Sequence, residues 1–155
     1  MQSTIQEKQA RRLILLGLIL FLCGLATGLA VQQMKNPRMA LAAHMEGLMN
    51  GMFLMVIGLI WNKLVLSKGW LNTIFWLALY GTFANLAAVL ISAMTGAGKM
   101  MPLAGGQDGK NGTETLITIL LISLSLAMLL VTIVIITGFY RYMQRNKAEA
   151  DPGTR

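Results

Sequence analysis

A histidine, a carboxylate and an amide fall within two turns of one apolar segment of this 155-residue chain. The segment reads Ala43-His44-Met45-Glu46-Gly47-Leu48-Met49-Asn50-Gly51, and His44 is the only histidine present. Such side chains are costly in hydrocarbon and persist there when paired, ligated or functional. An imidazole can ligate a metal or carry a proton, a carboxylate can accept one, and an amide can orient a polar substrate. At 100° per residue, His44, Gly47, Leu48 and Gly51 share one helix face, and Glu46, Asn50 and Phe53 share another more than a third of a turn away.

Two readings of His44 stand side by side. It can be an interhelical hydrogen-bond partner, or it can ligate haem iron as a neutral imidazole. The second needs an uncrowded wall beside the ring, which Gly47 and Gly51 could provide. Asn50, about 9 Å deeper along the axis, could then reach the open side of a macrocycle in the same or a neighbouring subunit. Glu46 and Asn50, four residues apart, could also simply bond each other. Met45, Met49 and Met52 read as gap-fillers, with a thioether iron ligand as the alternative. Further along, Thr73, Trp76, Tyr80 and Phe83 lie roughly along one stripe, and Asn85 sits deep in its segment. That set suits a pocket for a small, flat, poorly soluble molecule, or the aromatics are ordinary packing.

The elements that position these groups are four apolar runs, at 13–31, 39–61, 71–94 and 116–139. Each is near the ~20 residues needed to cross a bilayer. The chain is 55% hydrophobic and only 12% charged, against about 25% charged in soluble domains. We therefore expect one integral membrane domain over residues 1–155, an all-α bundle of four transmembrane helices. The polar segment before residue 13 should extend the first helix, residues 95–113 should form a flexible outer loop, and 140–155 a cytoplasmic tail. The first run is too long for a cleaved signal and lacks an Ala-x-Ala site.

The net charge of +7 is not a nucleic-acid footprint. Lys8, Arg11, Arg12, Lys63, Lys68, Arg141, Arg145, Lys147 and Arg155 fall on one side of the expected topology; only Lys35, Arg38, Lys99 and Lys110 fall on the other. The positive-inside rule puts both termini in the cytoplasm, with the basic groups meeting anionic lipid. Cys23 is the only cysteine, which excludes an internal disulfide or a multi-cysteine metal site; it reads as a small buried hydrophobe. Gly24 with Gly28, and Gly47 with Gly51, are small-residue pairs that let helices approach. Asn36-Pro37 should open the second helix. Trp61 and Trp70 suit the cytoplasmic interface. Thr113 should cap the fourth helix, with Glu114 at its positive end. Thr95-Gly-Ala-Gly-Lys99 only superficially resembles a phosphate loop, because Ala93 and Met100 replace its glycine and hydroxyl positions. Asn111-Gly-Thr113 fits a glycosylation sequon but reads as a turn, and no internal repeat is evident.

The stretches Arg11-Arg-Leu-Ile-Leu-Leu-Gly, Asn36-Pro-Arg-Met and Ala43-His-Met-Glu-Gly-Leu-Met-Asn-Gly-Met-Phe-Leu54 resemble the bacterial hydroxylaminobenzene mutases. Ala43-His44 followed by Asn50-Gly51 also resembles the styrene oxide isomerases, four-helix membrane enzymes. The resemblance implies that His44 ligates haem b, that Asn50 orients substrate, and that the protein is a trimer with haem between subunits. It implies an intramolecular transferase of a bacterial cytoplasmic membrane, rearranging N-arylhydroxylamines such as hydroxylaminobenzene to 2-aminophenol, with iron as Lewis acid. Glu46, Tyr80 and Asn85 join Asn50 as candidate catalytic residues. Aligning the isomerases' third-helix asparagine with Asn85 puts Val89 where they carry a tyrosine. Two other classes remain: a small proton-coupled multidrug exporter using Glu46, the only acid inside a span, and a haem electron carrier.

Overall fold

Long apolar runs without interior proline have one way to satisfy their backbone groups away from water, which is the helix. The computed structural model describes residues 2–150, with side chains over 5–148. The expectations that touch Met1 and residues 151–155, Arg155 among them, lie outside the described residues. Four helices account for most of the rest: α1 (Gln2–Leu29), α2 (Pro37–Ile60), α3 (Lys68–Thr95) and α4 (Asn111–Ala150). All four are long and apolar enough to cross a membrane. The polar N-terminal segment does extend α1. The expected tail is itself helical as far as Ala150, since 140–150 holds neither glycine nor proline.

Local chemistry sets the ends. Asn36 caps α2, its side-chain oxygen accepting the Met39 N–H at 3.1 Å, and Pro37 takes the first helical position. Gly96, at φ 78°, closes α3 in the left-handed conformation. At α4 the structure corrects the expectation. The helix begins at Asn111, so Thr113 lies inside its first turn and its N–H donates to the Lys110 carbonyl at 2.9 Å. Glu114 binds the preceding loop, accepting N–H groups of Gly109 (2.8 Å), Gly98 (2.9 Å) and Lys99 (3.3 Å). With Asn36 donating to the Ala104 and Gly105 carbonyls, the outer loop is a folded strap latched to the starts of α2 and α4.

The helices pack in sequence: α1 along α2, α2 on α3, α3 on α4. Among the described residues, α3 is the one long helix that α4 meets, so the bundle is open on the α1–α4 side. The α1–α2 contact is backbone on backbone. A Cβ at Gly24 would stand 2.7 Å from the Leu48 nitrogen and 2.8 Å from the Gly47 carbonyl carbon. Near the other end, Trp61 is fully buried instead of lying at an interface. Its indole donates to Gln9 at 3.2 Å and meets the Phe75 ring edge-on at 6.3 Å. The buried indole N–H needs such a partner, and α1 supplies it. Trp70, by contrast, is exposed. Cys23 is also exposed, on the side of α1 turned away from the glycine contact.

Because the atoms opposing Gly24 are backbone, Gly24→Ala must push α1 off α2. The expected loss is about 1–3 kcal/mol, read as a lower melting temperature in mild detergent; an unchanged value would refute the tight contact.

Candidate functional site between α1, α2 and α3

The polar residues of α2 divide between its two neighbours. On the α1 side, the His44 Nδ1 lies 2.8 Å from the Gly24 carbonyl oxygen. A carbonyl can only accept, so a proton sits on Nδ1, and in the neutral ring this leaves the lone pair on Nε2. Nε2 has no hydrogen-bond partner among the described residues, and it is not sealed inside, since the one buried side-chain polar atom there without a partner is Ser92 Oγ. His44 itself is half-buried.

Gly47 and Gly51 are on the same side, both buried. The uncrowded wall expected of them is taken up by α1: added Cβ atoms would stand 2.9 Å from the Gly24 nitrogen and 2.7 Å from the Phe21 nitrogen, respectively. Their role within the protomer is helix contact.

On the α3 side, the Glu46 Oε2 accepts the Asn85 amide N–H at 2.6 Å and that of Asn50 at 3.4 Å. The helix-internal Glu46–Asn50 bond is thus the long one, and the short one crosses to α3. All three side chains are half-buried. Oε1 of Glu46 has no partner among the described residues, so the carboxylate is gripped by one oxygen and open at the other.

Tyr80 does not join this set. Five residues from Asn85 is about 140° around α3, and the Tyr80 hydroxyl pairs with Ser123 of α4 at 2.6 Å. The Ser123 hydroxyl also lies 2.7 Å from its own helix carbonyl at Ile119. Trp76 and Tyr80 are exposed on the protomer surface, whereas Phe83 packs against the core. The aromatic stripe is therefore not one enclosed pocket. Val89, at the position matched to the isomerase tyrosine, is buried. Two partners escaped the sequence reading: the Gly24 carbonyl, because a backbone acceptor leaves no residue-type signal, and Ser123, which reads as one self-bonded hydroxyl among several on α4.

No group of three or more His, Cys, Asp and Glu residues converges on a metal-binding arrangement among the described residues. A macrocycle that brings its own nitrogen ligands needs far less, and one imidazole with a free Nε2 meets that need. An imidazole whose other nitrogen is bonded to a carbonyl is the usual form of such a ligand.

Comparison with known proteins bears on what this arrangement serves. Residues 9–140 match the styrene oxide isomerase family. The chain is 46% identical over 143 residues to hydroxylaminobenzene mutase HabB of Ectopseudomonas oleovorans, covering 91% of this chain and 87% of the relative. It is 44% identical over 127 residues to hydroxylaminobenzene mutase HabA of the same organism, covering 81% of this chain and 94% of that relative. No solved structure matches. These relatives are enzymes, which favours the mutase expectation over the exporter and electron-carrier ones. The chain is an enzyme of the isomerase type, with four helices apolar enough to cross a membrane, and it belongs to the styrene oxide isomerase family.

Proposed function

We propose that this protein converts N-arylhydroxylamines, with hydroxylaminobenzene as the prototype, into 2-aminophenols in a bacterial cytoplasmic membrane, both termini facing the cytoplasm. The reaction is an isomerisation. The N–O bond breaks, a C–O bond forms at the ortho carbon, the ortho hydrogen leaves as a proton, and nitrogen gains one. The observation that carries the reading is His44 itself, an intramembrane imidazole with its proton fixed on Nδ1 by Gly24 and Nε2 left open. We assign Nε2 to the iron of haem b, which when bound supplies a Lewis acid for the hydroxyl oxygen.

The residues of the chain do the rest. Asn50 orients the polar end of the substrate. Glu46 faces the positive charge that spreads over nitrogen and ring as the N–O bond weakens, and its open Oε1 accepts the ring proton. Asn85 holds Oε2 and so aims the carboxylate, a positioning role distinct from substrate contact. The apolar surroundings keep bulk water from capturing the cation at the para carbon. Tyr80 lies outside this set.

His44 and Glu46 are two residues apart, which places them about 160° apart around α2. One macrocycle cannot face both within a protomer. The reading therefore includes a homo-oligomer, a trimer by resemblance, in which Glu46 and Asn50 of one subunit serve the haem side of the next.

Five measurements check this. Reporter fusions at residue 155 and within 105–112 should report opposite sides of the membrane; the same side for both refutes the topology. His44→Ala should insert normally yet lose its Soret band and its turnover; full haem content would rule out His44 as the ligand. Glu46→Gln should lower kcat by about 10²-fold, and Asn50→Ala should reduce turnover far more than haem content. In oxygen-18 water, the 2-aminophenol should keep the substrate's own oxygen, because the ortho carbon is the near acceptor for a held oxygen. Heavy oxygen in most of the product would establish solvent capture instead.

A further inference from the structure

We infer that Gly28 is a positioning residue for the His44 imidazole: with no side chain at 28, the ring can reach over α1 and place Nδ1–H on the Gly24 carbonyl. Its consequence for the cofactor rests on the assignment of Nε2 to haem, but the geometric claim does not.

In the helix ladder the Gly24 carbonyl is the acceptor for the N–H of residue 28. A second donor must come in from the side, across residue 28. The structure shows that donor there. A Cβ built on Gly28 would lie 2.7 Å from His44 Nδ1, 2.9 Å from Cε1 and 3.3 Å from Cγ. The three nearest atoms thus all belong to one imidazole.

Gly24, one turn earlier, is a different case. The atoms nearest its Cβ position are backbone atoms of Gly47 and Leu48. A methyl at 24 separates two helices; a methyl at 28 meets a side-chain ring that can rotate away. The two glycines look equivalent as a small-residue pair, yet one holds the helices together and the other aims the histidine.

The chemical consequence follows from the tautomer. While Nδ1–H is held by the carbonyl, Nε2 keeps its lone pair. A ring displaced by even several tenths of an ångström stretches the 2.8 Å bond toward the limit at which such bonds fail. Released, a neutral histidine reverts toward the form protonated at Nε2, which has no lone pair there to donate. Loss of the partner that orients a ligating histidine weakens metal affinity about 10–100-fold.

His44 is the only histidine, so nitrogen-15 histidine labelling gives one imidazole to read. The purified protein is examined by NMR, as the diamagnetic ferrous carbonyl form where it carries haem. Wild type should show Nδ1 protonated. Gly28→Ala should keep its helix content and melting temperature, shift its imidazole signals, and move its iron–histidine stretching frequency. Its haem affinity, titrated with hemin, should fall about 10–100-fold. Wild type protonated at Nε2 overturns the inference without any variant. So does a folded Gly28→Ala with unchanged imidazole signals and haem affinity. If wild type binds no haem, or His44→Ala binds it fully, the haem assignment fails; the imidazole signals of Gly28→Ala still decide the role of Gly28.

Discussion

The backbone contact between α1 and α2 is the constraint on which the rest depends. At Gly24 and Gly47 the two chains are so close that neither position has room for a methyl group. This closeness brings the carbonyl oxygens of α1 within reach of a side chain on α2. Had leucine-sized groups separated the helices, the His44 ring would have needed a side-chain partner from α1, and α1 carries no charged residue beyond Arg12. A backbone carbonyl does the same work without adding a charge to the apolar interior, where a charge is costly. Tight helix packing and histidine orientation are thus two consequences of one glycine-lined surface.

From that contact, α2 emerges as the helix whose polar side chains are oriented by both of its neighbours. Two of its side chains, His44 and Glu46, are each held at one atom and open at another. His44 is held at Nδ1 by α1, and Glu46 at Oε2 by Asn85 of α3. Fixing one end of a bifunctional group restricts its rotamers before substrate arrives, which is the form of preorganisation that lowers the cost of reaching the reactive geometry. Asn50, bonded only at 3.4 Å, keeps the freedom to swap that weak contact for one with a ligand.

The helices and their approximate limits were legible because hydrophobic length is a direct consequence of bilayer thickness. The α2 cluster stood out for a related reason: histidine and glutamate are conspicuous where everything else is apolar. The division of that cluster between two neighbours was partly legible, since the faces follow from helix geometry; which neighbour lay on which face did not. Gly24, Gly47 and Gly51 were read correctly as helix contacts, whereas Gly28 faces the His44 ring; Gly47 and Gly51 were also expected to leave room for a macrocycle, and α1 fills that room. Tyr80 was misplaced because a stripe along one helix says nothing about where the next helix lies. Trp61 follows the same pattern. An indole near a helix end suits an interface by type, yet Gln9 on α1 offered a buried acceptor, and burial with a satisfied N–H won. The outer loop looked flexible from its glycines, whereas Glu114 and Asn36 tie it down through backbone groups that sequence does not display.

Polar side chains in this protein sort by whether their own helix can satisfy them. Thr82, Thr95, Ser123, Ser125, Thr132 and Thr137 each lie within hydrogen-bond distance of the carbonyl four residues back, so they cost little wherever they fall. Imidazole and carboxylate have no such local remedy and must find partners across a helix boundary. His44 and Glu46 both do, and both are left half satisfied. Completing both partners within the protein would have been easy in principle, with one more asparagine or serine on α1 or α3. What remains instead is a nitrogen at Nε2 and an oxygen at Oε1 that have no partner among the described residues. The apolar domain thus keeps two open polar atoms on opposite sides of one helix. That arrangement, more than any single residue type, separates this α2 from an ordinary membrane-spanning segment.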